Sequence, residues 1–541
     1  MTIRRLALPC FFLLFVLNSA ELISAQSGNS LPQIVQKDGR YALVVDGAPY
    51  LILGAQAHNS SGWPATLPKV WPVIEYLHAN TLEVPVYWEQ LEPEPGHFDF
   101  TVVDALLAQA REHQVHVVLL WFGTWKNGSS HYIPLWMKRA PERYPRMIGK
   151  NGRPVDSPSP FAAETLKADI QAFSGLMRHL KESDEQHTVL MVQVENEPGT
   201  WGSVRDYSPA AQKAFAAPVP AELLSALHKR SDSPNSNWQQ VFGEDAEEFF
   251  HAWSVAHYIE QVAAAGKAIY PLPLYVNSAL RNPFQTTHEH NYETGGPTDN
   301  VISIWKAAAP SIDLLAPDIY LEDSADYLKV LDLYHRPDNA LFVPETGRSP
   351  AYSRYFFAAL GHQAIGFAPF GMDYTRYAND PIGSSDLTEK SLDPFALSYK
   401  LVGPMQREIA LLNFEGKLQA AVEQKGNSSE SITFASWKVI VSYGLDHFGP
   451  GDHPPGNPQP MGRAFVAQLG PNEFLVSGFF CRVDFQPNDP SGKQREYVRV
   501  EEGTYDHGRF RPTRIWNGDQ TDWGLNFASV PQVLRVAVGT F

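Results

Sequence analysis

Between residues 50 and 415, short apolar runs alternate with stretches whose apolar residues recur at helical spacing. The runs at 50–56, 80–87, 115–121, 189–195, 273–278, 313–319, 341–345 and 364–369 read as strands. Between them, Val70, Ile74 and Leu77 mark one helix face. Val103, Leu106, Leu107 and Ala110 mark a second, and Leu166, Ile170, Phe173, Met177 and Leu180 a third. Further helices are expected at 245–266, 299–309, 324–335, 353–361 and 393–413. Eight strand–helix units in order predict a (β/α)8 barrel rather than an open doubly wound sheet. No glycine-rich dinucleotide or P-loop fingerprint follows any of the strands. Ahead of the barrel, residues 41–50 read as a hairpin about the Asp46-Gly47 turn. Past 416 the helical period stops. Runs at 432–441, 463–469, 473–483 and 533–538, with turns expected at 446–460 and 486–493, predict an all-β, sandwich-like domain over 416–541. The catalytic unit is thus expected at 26–415.

The first 25 residues have the order of an export signal. Arg4 and Arg5 precede an apolar run from Leu6 to Leu17, and Ile23-Ser24-Ala25 offers a small-residue cleavage site. The run is too short for a membrane-spanning helix, which needs about 20 residues. Periplasmic or secreted location is therefore expected, with no membrane attachment once the signal is removed. Cys10 lies inside the signal, so Cys481 alone remains: neither an intramolecular disulfide nor a cysteine metal site is expected. A net charge of −16 argues against nucleic acid or an anionic membrane as partner, since both need a basic face. Aromatic residues make up 12% of the chain, which suits a sugar ligand and equally a large barrel core. Oligomeric state is left open.

Two strand ends carry the chemistry. At Gln193-Val194-Glu195-Asn196-Glu197-Pro198-Gly199 an apolar strand gathers two carboxylates and an amide, and Pro198 keeps Glu197 out of the helical region. Burying such groups unpaired would cost several kcal/mol. At Leu341-Phe342-Val343-Pro344-Glu345-Thr346-Gly347 a second apolar strand again ends in glutamate. These are the fourth and seventh strands, whose tops face each other across a closed barrel. Two carboxyl groups about 5–5.5 Å apart support glycoside hydrolysis with retention, one as acid/base and the other as nucleophile.

The Gln193–Glu197 segment resembles the Gln-x-Glu-Asn-Glu signature of family 35 glycoside hydrolases, the β-galactosidases of clan A. The resemblance spans about 35–410. It implies Glu197 as acid/base, Glu345 as nucleophile and Asn196 as the amide on the sugar 2-hydroxyl. Tyr320, in Pro317-Asp318-Ile319-Tyr320, is similar to the tyrosine that touches the nucleophile. A third similar segment runs from Asn80-Thr81 through Tyr87-Trp88 and Glu92-Pro93 to Phe98-Asp99-Phe100. Glu195, Tyr87, Glu92, Trp121 and Trp201 complete the expected substrate contacts. The implied substrate is a galactoside or galactosylated oligosaccharide, such as a xyloglucan side chain, cleaved without cofactor or metal. Pro198 departs from the family's usual aromatic residue. Trp121-Phe122-Gly123-Thr124-Trp125 stands where well-known members have a Cys-Ala-Glu-Trp-like stretch that grips galactose.

Other signals are weaker. His288 and His290 lack a third placed ligand, and neither a His-Glu-x-x-His helix nor a Gly-x-Ser-x-Gly elbow occurs. Trp121, Trp125, Trp201 and Trp305 are candidates for a sugar-stacking floor. The loops at 199–244 and 279–300 are long enough to shape a cleft. Two rival readings stay open: another clan A glycosidase or an endo-glycanase, and a non-catalytic carbohydrate-binding protein on a barrel.

Overall fold

The computed structural model describes residues 30–541 apart from 232, 288–289, 377–386, 445–453, 490–491 and 507. The expected export segment at 1–25, His288 and part of the 446–460 turn region lie outside the described residues. Eight parallel strands close into a barrel: β1 (Ile52–Gln56), β2 (Thr81–Tyr87), β3 (His116–Lys126), β4 (Val189–Asn196), β5 (Leu274–Ala279), β6 (Leu314–Ile319), β7 (Val343–Thr346) and β8 (Gly366–Pro369). They neighbour one another in chain order, and β8 pairs with β1 through Gly366–Ile52 and Phe367–Leu53.

The strands are buried on both faces because two separate cores flank them. Leu119, Val192, Val194 and Val276 point outward against helical residues such as Phe173, Met177 and Ile259. Val118, Leu120, Leu190, Tyr275, Leu314 and Phe342 fill the lower lumen. Leu43, Val45 and Tyr50 join that inner cluster from the N-terminal sheet and plug the bottom of the barrel. This sheet contains the expected hairpin, with left-handed backbone at Asp46 and Gly47, plus a third strand, Gln33–Lys37, that the pattern did not reveal. The Ala163–Ser183 and Ala246–Ile269 helices pack together where Gly266 meets Phe173; a Cβ there would come within 2.3 Å of the ring. No helix among the described residues is long and apolar enough to cross a membrane.

Beyond the Gln406–Phe414 helix the chain turns wholly to strands, which form a six-stranded and a four-stranded sheet. Val439, Phe474, Val476 and Phe485 from the two sheets meet in one core, giving the sandwich. The runs expected at 432–441 and 473–483 are each two strands, the second split at Phe480, whose left-handed backbone turns the chain. Long strands at Arg495–Asp506 and Arg509–Trp516 were missed, because charged residues interrupt their apolar pattern. The sandwich rests on the barrel through Phe357 against Phe465 and through Arg463, which bonds the Ser398 hydroxyl at 3.1 Å. Cys481 is buried there, and burial pushes its thiol up to about 12, which makes it unreactive.

Candidate active site

The upper lumen changes from apolar to polar at one level: Gln56 on β1, Asn196 at the end of β4, Asn277 on β5, Asp318 on β6 and Glu345 on β7 are all buried. Three donors orient the Glu345 carboxylate. The Tyr320 hydroxyl donates to Oε2 at 2.7 Å, and the side-chain amides of Gln56 and Asn196 donate to Oε1 at 3.1 and 3.4 Å.

Glu197 faces Glu345 from the end of β4. Its backbone lies in the left-handed region with φ 42°, a conformation costing a non-glycine residue about 1–3 kcal/mol. Neighbours hold it there. Its N–H donates to Asn277 Oδ1 at 2.8 Å, and its carbonyl accepts from the Gly128 N–H at 2.9 Å. Pro198 follows, and Gly199 comes so close to the Thr294 carbonyl that a Cβ would lie 2.5 Å from it. One carboxylate oxygen from each of Glu197, Asp318 and Glu345 lies within 4.8 Å of the others.

Such crowding sets the protonation states. Burial, then the Glu345 charge, raises the Glu197 carboxyl, while the Lys126 ammonium opposes the rise. Asp318, hydrogen-bonded to Glu197 and to the Asn277 amide at 2.6 Å, is raised well above the carboxylate range by burial and by the charges of Glu345 and Glu197. The Glu197–Asp318 bond lowers Glu197 and raises Asp318, so the two titrate as an interacting pair. Glu293, from the loop after β5, is raised by burial and by Glu197. Glu83 on β2 is raised by burial and by Glu345. The three oxygens could converge on a cation, although three donors already engage Glu345.

Lys126 reaches the site through an irregularity in β3. Trp121 pairs with Val194, yet the next registered pair is Lys126 with Asn196, so extra residues of β3 bulge between them. The stretch that departs from the family motif forms this bulge. Trp121 and Trp125 both point away from the lumen, the first bonding Asp169 at 3.0 Å and the second Ser157 at 3.2 Å.

The expected contacts therefore divide. Asn196, Glu197, Tyr320 and Glu345 converge. Trp201 stands exposed on the loop after Glu197. Tyr87 tops β2 on the lumen side, stacked on Trp63, with its hydroxyl accepting from the Gly62 N–H. Three residues are placed elsewhere. Glu195 turns behind the wall, where it accepts from the Trp125 N–H at 2.6 Å and is raised well above the carboxylate range by burial and by Asp169. Trp121 lies on the same outer side. Glu92 ties up both its oxygens, accepting from Trp88 at 2.8 Å and from the Gly96 N–H at 2.7 Å, and so shapes the loop that carries the Glu92–Phe100 motif. Trp305 is buried against the Gly295 carbonyl, and His290 pairs with Glu248. Gln56, Lys126, Asn277, Asp318 and Glu293 were not anticipated. Asp318 alone had a usable signal, standing two residues before Tyr320 on the same strand end.

Known proteins add to this geometry. Residues 69–253 match the family 42 glycoside hydrolase model, described as beta-galactosidase. The match is thus to family 42 rather than family 35, both within clan A. It includes Glu197 and stops short of Glu345. Residues 395–528 match a domain of unknown function, DUF5597. A beta-galactosidase of Xanthomonas manihotis is 27% identical over 175 residues, covering 30% of this chain and 26% of that protein. The chain thus spans about a quarter of the length of that relative. Among solved structures, the beta-galactosidase of Rahnella sp. R3 aligns with TM-score 0.48 at 15% identity, over 67% of this chain and 58% of the other. The exo-beta-1,4-mannosidase Op5Man5 of Opitutaceae bacterium strain TAV5 aligns with TM-score 0.43 at 15% identity, over 70% and 63%.

Proposed function

We propose that the protein is an exported, retaining exo-β-galactosidase of clan A, with a Gln193–Glu197 motif similar to that of family 35 and a barrel segment that matches family 42. Its substrates are terminal β-D-galactosyl residues, such as those on xyloglucan side chains, and its location is periplasmic or secreted. The observation that carries this reading is the meeting of Glu197 and Glu345 from opposite strand ends, with oxygens inside 4.8 Å. That closeness favours a retaining pair, at about 5–5.5 Å, over an inverting pair at about 6.5–9.5 Å. Glu345 attacks the anomeric carbon as the C–O bond to the leaving group breaks, and Glu197 passes its proton to the departing oxygen. Water then enters, Glu197 takes its proton, and sugar leaves with net retention. The Asn196 amide, already bonded to Glu345, is placed to bond the sugar 2-hydroxyl, a contact that strengthens in the transition state.

The test is a panel of aryl β-galactoside, glucoside, xyloside and mannoside offered to the mature protein. Cleavage of the galactoside alone is expected. Preference for another sugar would keep the machinery and overturn the substrate, which matters because β3 lacks the family's galactose-gripping stretch.

Asp318 makes a further prediction. The Asp318 hydrogen bond lowers the Glu197 carboxyl, opposing the rise imposed by burial and the Glu345 charge. In Asp318→Ala that bond is lost, so Glu197 keeps its proton to higher pH. The alkaline limb of kcat/KM is expected to move up by on the order of one pH unit. An unmoved or downward-moved limb would refute the contact.

A further inference from the structure

Trp88, Trp121, Trp125, Trp238 and Trp305 are each no more than 1% exposed, whereas Trp201 is 54% exposed. An indole left in solvent is ordinarily loose, but the loop that carries this one is held. Thr200 and Thr294 exchange both backbone hydrogen bonds, at 2.8 and 3.1 Å, clamping the loop after β4 to the loop after β5. Beside it lies the buried carboxyl of Glu293. Gly128 makes room for that carboxyl: a Cβ there would lie 2.3 Å from Glu293 Oε1. The result is a flat apolar face on a clamped loop four residues beyond Glu197.

We propose that Trp201, on the loop clamped by Thr200 and Thr294, is the platform of a leaving-group subsite that takes a pyranose ring, so that the group released by hydrolysis is itself a sugar. The inference rests on Glu197 as the acid. Whatever receives its proton must come within hydrogen-bond reach of its carboxyl. A ring attached through that oxygen lies on the Glu197 side of the bond being broken, away from Glu345 and beside the loop that Trp201 occupies. The C–H face of a pyranose matches an indole face, and a platform ordered before binding loses little entropy when the sugar lands.

The experiment compares a galactosyl-β-disaccharide with β-galactosyl fluoride, whose leaving group has no ring to stack. The readout is the ratio of kcat/KM for disaccharide to that for fluoride. Trp201→Ala is expected to lower this ratio about tenfold or more. Trp201→Phe, which keeps an aromatic face, should recover most of it. An unchanged ratio in Trp201→Ala overturns the subsite, whether both rates stay constant or both fall together. If the wild type cleaves neither substrate, the galactosidase reading fails, and the subsite with it.

Discussion

Glu345→Gln is expected to lower kcat/KM for an aryl β-galactoside by about 10⁴-fold or more, the largest effect of any single substitution in this chain. An amide cannot form the glycosyl ester, and nothing else in the site replaces it. Asp318 is raised well above the carboxylate range and Glu83 is hydrogen-bonded to Tyr275, so neither is a ready substitute nucleophile. Glutamine also brings a donor where Gln56, Asn196 and Tyr320 already donate, so a second variant guards against local rearrangement. Glu345→Ala opens space for a small anion beneath the anomeric carbon. Azide should then restore turnover of an activated substrate and yield α-galactosyl azide, inverted relative to the substrate. Wild-type-like activity in both variants would remove Glu345 from the reaction. Rescue yielding the β-azide would place the vacant carboxylate on the other face of the sugar.

The barrel was legible because each of its strands is an apolar run bounded by turns, and eight such runs separated by helical periods leave few alternatives. The two glutamates proposed to react, Glu197 and Glu345, stood out because a carboxylate ending an apolar strand has no structural reason to be there. Which neighbours accompany them was less so. Strict alternation along β4 puts Glu195 and Glu197 on one face and Asn196 on the other. The structure differs: Glu195 adopts φ 66°, which shifts the alternation by one and separates it from Glu197. Val194 and Glu195 both face the helices, and Asn196 comes round to the lumen beside Glu345. No residue type at 195 announces a left-handed backbone, as a glycine would have done. Lys126 was hidden by the bulge in β3, and Glu293 by a loop without any period. Both depend on how distant segments pack, and neither leaves a local pattern. In the tail, strands whose charged residues face solvent on one side lost the apolar runs by which they would be recognised.

Glu197→Gln should separate two kinds of substrate that wild type treats alike. Glutamine fits the same space and has no greater difficulty than glutamate at φ 42°, so the Asn277 and Gly128 contacts to its backbone are kept. What is lost is the proton. For a disaccharide, whose departing alkoxide must be protonated as it leaves, kcat/KM is expected to fall by about 10²–10⁴-fold. For a dinitrophenyl galactoside the leaving group is stable as an anion. The first step then needs no acid, and kcat/KM should stay within a few fold of wild type. Its kcat should nonetheless drop, because the second step lacks a base to activate water. The glycosyl-enzyme then accumulates, visible as a burst of dinitrophenolate. Azide accelerates this step in Glu197→Ala by attacking from the face where Glu197 stood, giving β-galactosyl azide with the substrate's configuration. Equal loss of kcat/KM on both substrates would mean that Glu197 shapes the site without moving the proton. Asp318, hydrogen-bonded to Glu197, would then be the group to test next.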